Sequence, residues 1–403
     1  MSSVIVFDDG KGQLAPLTDL RPAFDIRTGA YTTLQRLERN WPDAVTGLLV
    51  PPHLAAITRE RHRYPVNDQI QVADQTIFVS GRCPLWDSPS PPTLPPGCAI
   101  VEEGSGDLVA ACLGRADAER FIRGEPVQFT PHGNPLARAL ISRPWHARTF
   151  RDAALRLDVG ALAAVKADPA PAGVVVTHDR GLKIAGSARV YPSAVLDTES
   201  GPIVIDDHAV VRPGAIITGP AYIGPHSTVL DRAVIRPNTA IGPYCKVAGE
   251  VSGTIFQGYA NKAHDGFLGD SYVGEWANLG AGTTNSNLLN TYGEVPVRSR
   301  PDGPMERTGE TFMGCIIGDH AKFAICTRIM TGAVIHTGAM YAATAPVSGC
   351  IHPFAWITDE GKRTYRLDKF TEVARTVMAR RNVTPSAAYL ARLAELHRIA
   401  VGG

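Results

Sequence analysis

Isoleucine and valine recur at every sixth position in the second half of the chain, and this repeat restricts the fold more than any other feature. Eight successive hexads carry the branched residue: Ile205, Val211, Ile217, Ile223, Val229, Ile235, Ile241 and Val247. The residue four positions further on is mostly small: Ala209, Ala215, Ala221, Ser227, Ala233, Thr239, Cys245 and Val251. A strand has a period of 2 and a helix a period of 3.6, so neither element explains the repeat.

A triangular parallel coil explains the period, because each hexad then forms one flat face and one turn. The branched residue points into the coil, and the small residue lies near an inner corner. Glycine, proline, asparagine and aspartate take the turns, and 39 Gly and 31 Pro among 403 residues supply many of them. Backbone groups pair with the coils above and below. We therefore predict a left-handed parallel β-helix over residues 173–357.

The hexads are interrupted twice, and polar residues concentrate at the interruptions. The repeat slips by two residues after Val247 and resumes at Ile255, Phe267, Val273 and Leu279, which places Asn261 in an inward phase. Residues 286–311 are polar and turn-rich, and we predict that they form a loop projecting from the helix. A polar residue is expected to face inward only where something binds it, so the interruptions mark the predicted site.

The rest of the chain divides into three predicted regions. Residues 1–135 have the pattern of an α/β domain, with strands predicted at Val4–Phe7, Gly47–Val50 and Ile77–Ser80. Residues 136–172 are rich in Ala, Leu and Arg and are predicted to be a helical connector. Residues 358–403 contain two predicted amphipathic helices, which we expect to cap the open end of the β-helix.

Charge and cysteine content favour a cytoplasmic protein that does not bind nucleic acid or membranes in general. The net charge is +1, which argues against general binding of nucleic acid or anionic membrane. No apolar run is long enough to span a bilayer. The N-terminal apolar run is too short and too acidic for a signal peptide. Seven dispersed cysteines without a CxxC pair are typical of reduced thiols.

The richest polar segment, residues 257–270, contains Asn261, Lys262, His264 and Asp265. Histidine titrates near neutral pH and is a natural general base for an amine or hydroxyl nucleophile. Acyl transfer also requires donors for the developing oxyanion, which the following Gly-Ala-Gly backbone (280–282) or an asparagine amide can supply. The structural alternative is that His264 only forms a turn, but its polar neighbours favour a functional role.

These motifs resemble a known family. Asn-Lys-Ala-His-x-x-x-Leu-Gly-Asp (261–270), Asn-Leu-Gly-Ala-Gly-Thr (278–283) and Asn287 resemble the acetyltransferase domain of the bifunctional N-acetylglucosamine-1-phosphate uridyltransferase / glucosamine-1-phosphate N-acetyltransferase family. The resemblance covers about residues 200–350. It implies transfer of an acetyl group from acetyl-CoA to a sugar-phosphate amine, in a homotrimer with active sites between subunits.

The resemblance also implies roles for single residues. His264 matches the general base. The implied substrate-binding residues are Arg236, Asn261, Lys262, Asn278 and Asn287, and the implied acetyl-CoA contacts are Ala281, Gly282 and Ala343. The chain departs from the family at Phe267, which replaces an aromatic hydroxyl near the base. The family's phosphate-binding lysine has no clean match either, and Lys246 or Lys262 is the nearest substitute.

The N-terminal region resembles the start of sugar-1-phosphate nucleotidyltransferases over residues 4–40 and 76–86. That resemblance implies a nucleoside triphosphate substrate, Mg²⁺ and a UDP-sugar product. The chemical residues are changed, however: Gln13 and Ala23 replace two cations, and Arg82 replaces the metal-binding aspartate. The residues that can compensate are Asp8 and Asp9 for a metal, and Lys11, Arg21 and Arg27 for phosphates. Arg82 is also counted among the candidate nucleotide or phosphate residues.

Three readings therefore stay open from the sequence. The first is an acetyl-CoA-dependent amino-sugar-phosphate acetyltransferase, with or without nucleotidyl transfer. The second is a sugar-nucleotide-binding regulatory or assembly protein with a degenerate nucleotidyltransferase domain. The third is a metalloenzyme on the same helix, but His264, His320 and His336 lack the close spacing that a zinc site of this kind needs.

Overall fold

The computed structural model describes residues 3–164, 169–178 and 181–402. It consists of two units: Met1–Leu14, Leu20–Ile26 and Tyr31–Arg143 form the first, and Ala15–Asp19, Arg27–Ala30 and Pro144–Gly403 form the second. Parts of the predicted connector (165–168) and of the predicted β-helix (179–180) lie outside the described residues, as do residues 1, 2 and 403.

The first unit contains a mixed six-stranded sheet with the strand order β2-β1-β3-β5-β4-β6. Its strands are β1 (Ser3–Phe7), β2 (Val45–Leu49), β3 (Gln75–Ser80), β4 (Cys98–Val101), β5 (Leu108–Gly114) and β6 (Thr130–Pro131), and its helices are α1 (Thr33–Asn40), α2 (Pro52–Arg61) and α3 (Arg115–Ile122). The three predicted strands are confirmed as β1, β2 and β3. Both β2 and β3 pair parallel with β1, so the residues after β1 and β3 meet at one sheet edge.

The second unit is built on a parallel β-helix with three faces. The first face contains Val175–Thr177, Val195–Asp197, Ile216–Thr218, Val234–Ile235, Glu250–Ser252 and Phe267–Gly269, and Thr284–Asn285 pairs with Arg328–Ile329. The second face contains Leu182–Ile184, Ile203–Ile205, Ala221–Ile223, Thr239–Ile241, Ile255–Phe256, Tyr272–Val273, Ile316–Ile317, Val334–Ile335 and Cys350–Ile351.

The third face contains Arg189–Val190, Val210–Val211, Thr228–Val229, Lys246–Val247, Asn261–Lys262, Asn278–Leu279, Lys322–Phe323, Met340–Ala342 and Ala355–Thr358, with Gly361–Thr364 added antiparallel at the end. Ile203 pairs with Ala221, and Ala221 pairs with Thr239. Three hexads therefore make one coil in this region.

The hexad residues form the core of the coil, which confirms the predicted fold class of an α/β domain followed by a left-handed β-helix. All eight repeating Ile and Val residues, from Ile205 to Val247, have no solvent-exposed side-chain surface. The eight small residues are equally buried. Since a fully buried Val or Ile contributes roughly 1.5–3 kcal/mol, this column is a large part of the folding free energy.

The inward phase predicted beyond Val247 is wrong by one residue at Ile255, Asn261 and Phe267, and it is confirmed at Val273 and Leu279, which lie in the core of the coil. Val247 pairs with Lys262, and Ile241 pairs with Phe256, so Phe256, Lys262 and Leu268 continue the inward columns. Ile255, Asn261 and Phe267 lie on the outer side. The coil here advances by 15 residues instead of 18 between paired positions of the third face, and this shortening shifts the phase.

The predicted loop is an insertion between coils, as expected, but it does not simply project. Tyr272 pairs with Ile316 across it, and it carries an antiparallel hairpin of Pro296–Val297 and Glu306–Arg307. Val295 and Val297 are fully buried. The ring Nε2 of His336 lies 2.9 Å from the carbonyl oxygen of Ser299. The loop therefore folds back onto the later coils.

Four helices complete the second unit: α4 (His146–Thr149), α5 (Arg151–Ala163), α6 (Leu367–Ala379) and α7 (Ala387–Gly402). The predicted connector is helical only from His146, and Arg151 of α5 binds the carbonyl of Gly253 and the carboxylate of Asp270. Helix α6 lies beside the third face, where Val373 and Val377 share a cavity with Asn278, so the C-terminal helices do more than cap the open end. No described helix is both long enough and apolar enough to cross a bilayer.

Candidate functional site

One edge of the β-helix, where the third face turns into the first, carries the predicted catalytic residue. Leu279 pairs with Phe323, and Phe323 with Tyr341. The residues two positions later, Ala281, Ile325 and Ala343, therefore follow one another along this edge, and His264 takes the same place one coil earlier. We call the edge formed by His264, Ala281, Ile325 and Ala343 the His264 corner.

A cavity of about 580 Å³ opens at the His264 corner. It is lined by Leu230, Asp231, Ala248, Ala263, His264, Asp265, Ala281, Gly282, Ile325 and Cys326. The structure thus brings His264 together with two of the predicted cofactor contacts, Ala281 and Gly282. Ala343 lies further along the same edge and does not line the cavity.

The polar groups in this cavity are available to a ligand. His264 is exposed, and neither ring nitrogen has a hydrogen-bond partner among the described residues. The backbone N–H groups of Ala281 and Gly282 likewise donate to no group in the described part of the chain. A base and two N–H donors in one cavity are the minimum set for acyl transfer with a stabilised oxyanion.

Lys262 holds the turn that carries His264 from inside the coil. Its side chain is 1% exposed and occupies the inward column between Val247 and Leu279. The ammonium donates to the backbone carbonyls of Ala248, His264 and Asp265. Burial lowers the pKa of Lys262 to about 8, and the nearby carboxylate of Asp265 opposes the shift. Lys262 was predicted to bind substrate. Its ammonium instead donates its hydrogen bonds to the protein's own backbone, so Lys262 positions the His264 turn.

The other predicted substrate residues do not reach this cavity. Asn261 and Asn278 lie on the outer side of the third face, in a separate cavity beside α6. Asn287 donates to Asp270 at the opposite end of the first face, 2.8 Å away. Arg236 is exposed and pairs with Glu250 at 3.1 Å. Within one chain, the predicted set is therefore distributed over different edges.

The first unit brings Asp8, Asp9 and Lys11 into one cavity of about 540 Å³, next to the end of β2. Two other predicted residues, Arg21 and Arg82, do not line it, and both are fully buried. Arg82 instead lies between two carboxylates. Its guanidinium donates to Asp9 at 2.8 and 3.0 Å and to Asp107 at 2.7 Å.

These residues do not fit a magnesium ion. Asp8 accepts the N–H groups of Gly10 and Ala23, and its burial raises its pKa despite those bonds. Burial would also raise the pKa of Asp107, but hydrogen bonds from Lys11 and Arg82 outweigh it and lower that pKa. The oxygen ligands that Mg²⁺ needs are thus occupied by N–H donors, and a guanidinium supplies the positive charge.

Sequence reasoning missed three features near these sites. Asp107 was not singled out, since it is 25 residues from Arg82 and no motif marks it. Cys326 is exposed in the His264 cavity and carries no spacing signal. A stacked column of six rings follows another edge of the β-helix: His208, His226, Tyr244, Tyr259, Trp276 and His320. The first three rings are 18 residues apart, which is the length of one coil, so this spacing could have predicted the stack from the sequence.

Comparison with known proteins supports the transferase class at a coarse level. Residues 4–166 match the family described as sugar nucleotidyl transferase. No curated protein matches the chain. The expectation of an enzyme of the transferase class is confirmed at this level, and the order of a nucleotidyl-transferase-like domain followed by a β-helix agrees with the expected architecture.

Solved structures with related folds include three acyltransferases. A Francisella novicida UDP-N-acetylglucosamine acyltransferase is 16% identical, with 57% of this chain and 77% of that chain covered and a TM-score of 0.35. The Bacillus cereus N-acyltransferase AntD, complexed with dTDP-4-amino-4,6-dideoxyglucose and coenzyme A, is 14% identical. The match covers 51% of this chain and 91% of that chain, with a TM-score of 0.22. The acetyltransferase domain of PglB from Neisseria gonorrhoeae, in complex with acetyl coenzyme A, is 13% identical. The match covers 59% of this chain and 71% of that chain, with a TM-score of 0.18.

Proposed function

We propose that the β-helix is an acetyl-CoA-dependent N-acetyltransferase acting on an amino-sugar phosphate at the His264 corner. The observation that carries the proposal is the cavity that His264, Ala281 and Gly282 line together. The motif resemblance over residues 261–287 supports the same chemistry. The substrate is a glucosamine-1-phosphate-like amine, and the acyl donor is acetyl-CoA.

The proposed reaction is a direct acyl transfer. The substrate amine attacks the thioester carbonyl, and a carbon–nitrogen bond forms as the carbonyl oxygen becomes an oxyanion. The N–H groups of Ala281 and Gly282 stabilise that charge. His264 accepts the amine proton and returns it to the departing thiolate, so that coenzyme A leaves as the thiol. Lys262 is a positioning residue, because it contacts only the backbone of the turn.

A homotrimer belongs to the same proposal. Ile325 is 72% exposed at the His264 corner, and Met330 is 45% exposed on the following turn. Large apolar side chains exposed beside a cavity are typical of a surface that a partner covers. Arg236 and Asn287 lie at a different edge, so a neighbouring copy is the means by which they reach His264.

The position of the acetyl-CoA site is tested by thiol labelling. Cys326 is exposed in the cavity, whereas Cys98 and Cys350 are half-buried elsewhere. We expect acetyl-CoA to slow N-ethylmaleimide labelling of Cys326 at least several-fold, with the labelling of Cys98 and Cys350 unchanged. Labelled peptides are quantified by mass spectrometry. Unprotected Cys326 at saturating acetyl-CoA would contradict the proposed site.

For the first unit, we propose sugar-nucleotide or sugar-phosphate binding without nucleotidyl transfer. The specific observation is the Arg82 guanidinium between Asp9 and Asp107, where magnesium-dependent transfer needs carboxylates with unoccupied oxygens. Purified protein is expected to release no pyrophosphate from nucleoside triphosphates and sugar-1-phosphates. Magnesium-dependent pyrophosphate release would restore the bifunctional reading.

A further inference from the structure

A second cavity, distinct from the His264 cavity, lies between the outer side of the third face and the end of α6. It has a volume of about 260 Å³ and is lined by Tyr259, Asn261, Trp276, Asn278, Lys322, Val373, Val377, Arg380 and Arg381. We call it the α6 cavity. Its lining contains three cations, two amides and no carboxylate.

The three cations of the α6 cavity lack anionic partners. Within the described part of the chain, no carboxylate oxygen lies within 4 Å of the side-chain nitrogens of Lys322, Arg380 or Arg381. Lys322 donates to the carbonyl of Trp276 at 3.2 Å. Burial lowers the pKa of Lys322 to about 8, and no carboxylate opposes the shift. Lys322 and Arg381 are only partly exposed, so placing their charges together is unfavourable unless an anion balances them, and the exposed Arg380 adds a third positive charge at the cavity mouth.

The amide groups are arranged around the same space. Arg381 donates to the side-chain oxygen of Asn261 at 3.0 Å. The amide nitrogen of Asn261 lies 3.5 Å from the side-chain oxygen of Asn278. This chain leaves the amide N–H₂ of Asn278 without a partner among the described residues, and it lines the cavity as a donor. Guanidinium, ammonium and amide donors thus line the same small cavity.

A structural reading explains part of this arrangement but not all of it. Arg380 and Arg381 follow the C-terminal end of α6, where cations offset the partial negative charge of the helix carbonyls. Lys322 is on the β-helix and not on the helix, so this reading does not account for its position. Its hydrogen bond goes to the neutral carbonyl of Trp276, and the lining of the cavity offers it no carboxylate.

We propose that the α6 cavity binds the phosphate group of a small phosphorylated compound. Guanidinium groups bind phosphate oxygens through paired N–H donors, and lysine adds a point charge. The volume lies below the usual range of about 300–1,000 Å³ for drug-sized ligands, which favours a small anion over a coenzyme. The proposal assigns Asn261 and Asn278 to this site rather than to the acceptor site at His264.

Isothermal titration calorimetry on the full chain tests the proposal, with inorganic phosphate, pyrophosphate and glucose 1-phosphate as probes and glucose as the uncharged control. We expect at least one phosphorylated probe to bind and glucose not to bind. Binding of phosphate and pyrophosphate alone identifies a free-phosphate site, and tighter binding of glucose 1-phosphate identifies a sugar-phosphate site. Absence of binding with all three phosphorylated probes at concentrations up to about 10 mM overturns the proposal.

Variants locate the binding. Arg380→Gln is expected to weaken binding at least tenfold, and so is the double variant that adds Arg381→Gln. The control is Arg375→Gln, which should leave binding unchanged because Arg375 is an exposed residue of α6 outside the cavity. Arg380 is itself exposed, so its replacement leaves the fold intact. Equal affinity in wild type and the double variant overturns the proposal. A loss of binding in His264→Asn also overturns it, because the anion then binds at the His264 corner.

The pH dependence provides an independent readout. Lys322 faces Arg380, Arg381 and Tyr259 across the cavity, and its proton is lost near pH 8. An anion favours the protonated form, so the affinity for glucose 1-phosphate, whose phosphate has a second pKa of about 6, is expected to fall as the pH rises from 7 to 9. Lys322→Met is expected to be weaker at pH 7 and nearly flat over this range. A wild-type affinity that does not change with pH contradicts the assignment of Lys322 to the site.

Discussion

At the scale of single residues, Arg82 determines what the first unit can do. A guanidinium lies between Asp9 and Asp107, at the position where the resemblance to sugar-1-phosphate nucleotidyltransferases implies an aspartate. The Arg82 side chain is fully buried, and its two partners are less than one fifth exposed. Paired in this way, the two carboxylates are held by an internal cation that a divalent ion would have to displace.

Arg82→Asp removes this internal cation, and we expect the stability of the variant to depend on a bound metal ion instead. Removing the guanidinium leaves Asp9 without its cation and Asp107 with only Lys11, both beside a new carboxylate, which should destabilise the first unit by roughly 3–5 kcal/mol. Millimolar Mg²⁺ should then raise the melting temperature of the variant and leave that of wild type unchanged. Thermal unfolding with and without Mg²⁺ measures both effects.

Arg115→Asp is the matched control, because Arg115 forms an exposed ion pair with Asp74. Surface pairs contribute about 0–1 kcal/mol, so this variant should lose little stability and gain nothing from Mg²⁺. An equal stabilisation of wild-type protein by Mg²⁺ would mean that the carboxylates already bind metal.

Single residues also show where sequence reasoning stops. The column of Ile and Val predicts inward positions as far as Val247, because the period is constant and every member is apolar. Lys262 breaks the apolar rule, so the pattern favoured its neighbour Asn261, which lies outside. The ammonium is tolerated inside because it donates hydrogen bonds to two carbonyls of the adjacent turn, His264 and Asp265, and to the carbonyl of Ala248 on the preceding coil. Periodicity carries no information about such a local partner.

At the scale of elements, the stacked rings stabilise one edge of the β-helix against local backbone strain. Tyr244 has a φ of 58° and stacks between His226 and Tyr259, with ring centroids 4.6 and 4.9 Å apart. A left-handed conformation costs roughly 1–2 kcal/mol in a residue with a Cβ. Each aromatic pair contributes about 0.5–1.5 kcal/mol, which offsets that cost.

Tyr244→Ala should therefore destabilise the protein by about 1–3 kcal/mol, because it removes both stacking contacts and keeps the strain. Tyr244→Gly should be less destabilising than Tyr244→Ala by roughly 1 kcal/mol, since glycine adopts this conformation without strain. Denaturant unfolding gives both values.

Tyr292 provides the control for Tyr244, with a φ of 55° and a side chain that is 76% exposed. Tyr292→Ala should be close to neutral, and Tyr292→Gly slightly stabilising. A Tyr244→Ala variant as stable as Tyr292→Ala would show that the stacked rings contribute nothing.

Elements were predicted from sequence with uneven success, for physical reasons. The strands β1, β2 and β3 and the regular coils follow from short apolar runs and a constant period. The insertion after Asn287 was recognised by its polarity, but the burial of Val295 and Val297 depends on Gly332 of a later coil, which the local sequence does not show. The α6 cavity joins Lys322 to Arg381 across 59 positions of sequence, and no motif links them.

At the scale of the whole molecule, the β-helix offers edges with different chemistry. The His264 corner carries a base and unpaired N–H donors, and the edge of Asn287 carries an ion-pair network with Asp270 and Arg148. A homotrimer stays a prediction, and it is the arrangement in which residues of different edges can meet. The central claim nevertheless concerns a single corner, because the proposed base and the proposed oxyanion donors belong to one chain.

The most direct test of that claim measures thiol release from acetyl-CoA in the presence of glucosamine 1-phosphate and related amino sugars. Wild-type protein is expected to release coenzyme A only when an amino sugar is present, and His264→Asn to lower the rate roughly 10²–10⁴-fold with oligomer mass and thermal stability unchanged. Wild-type protein that releases no thiol with any amino sugar, or a His264→Asn variant as active as wild type, would contradict the account.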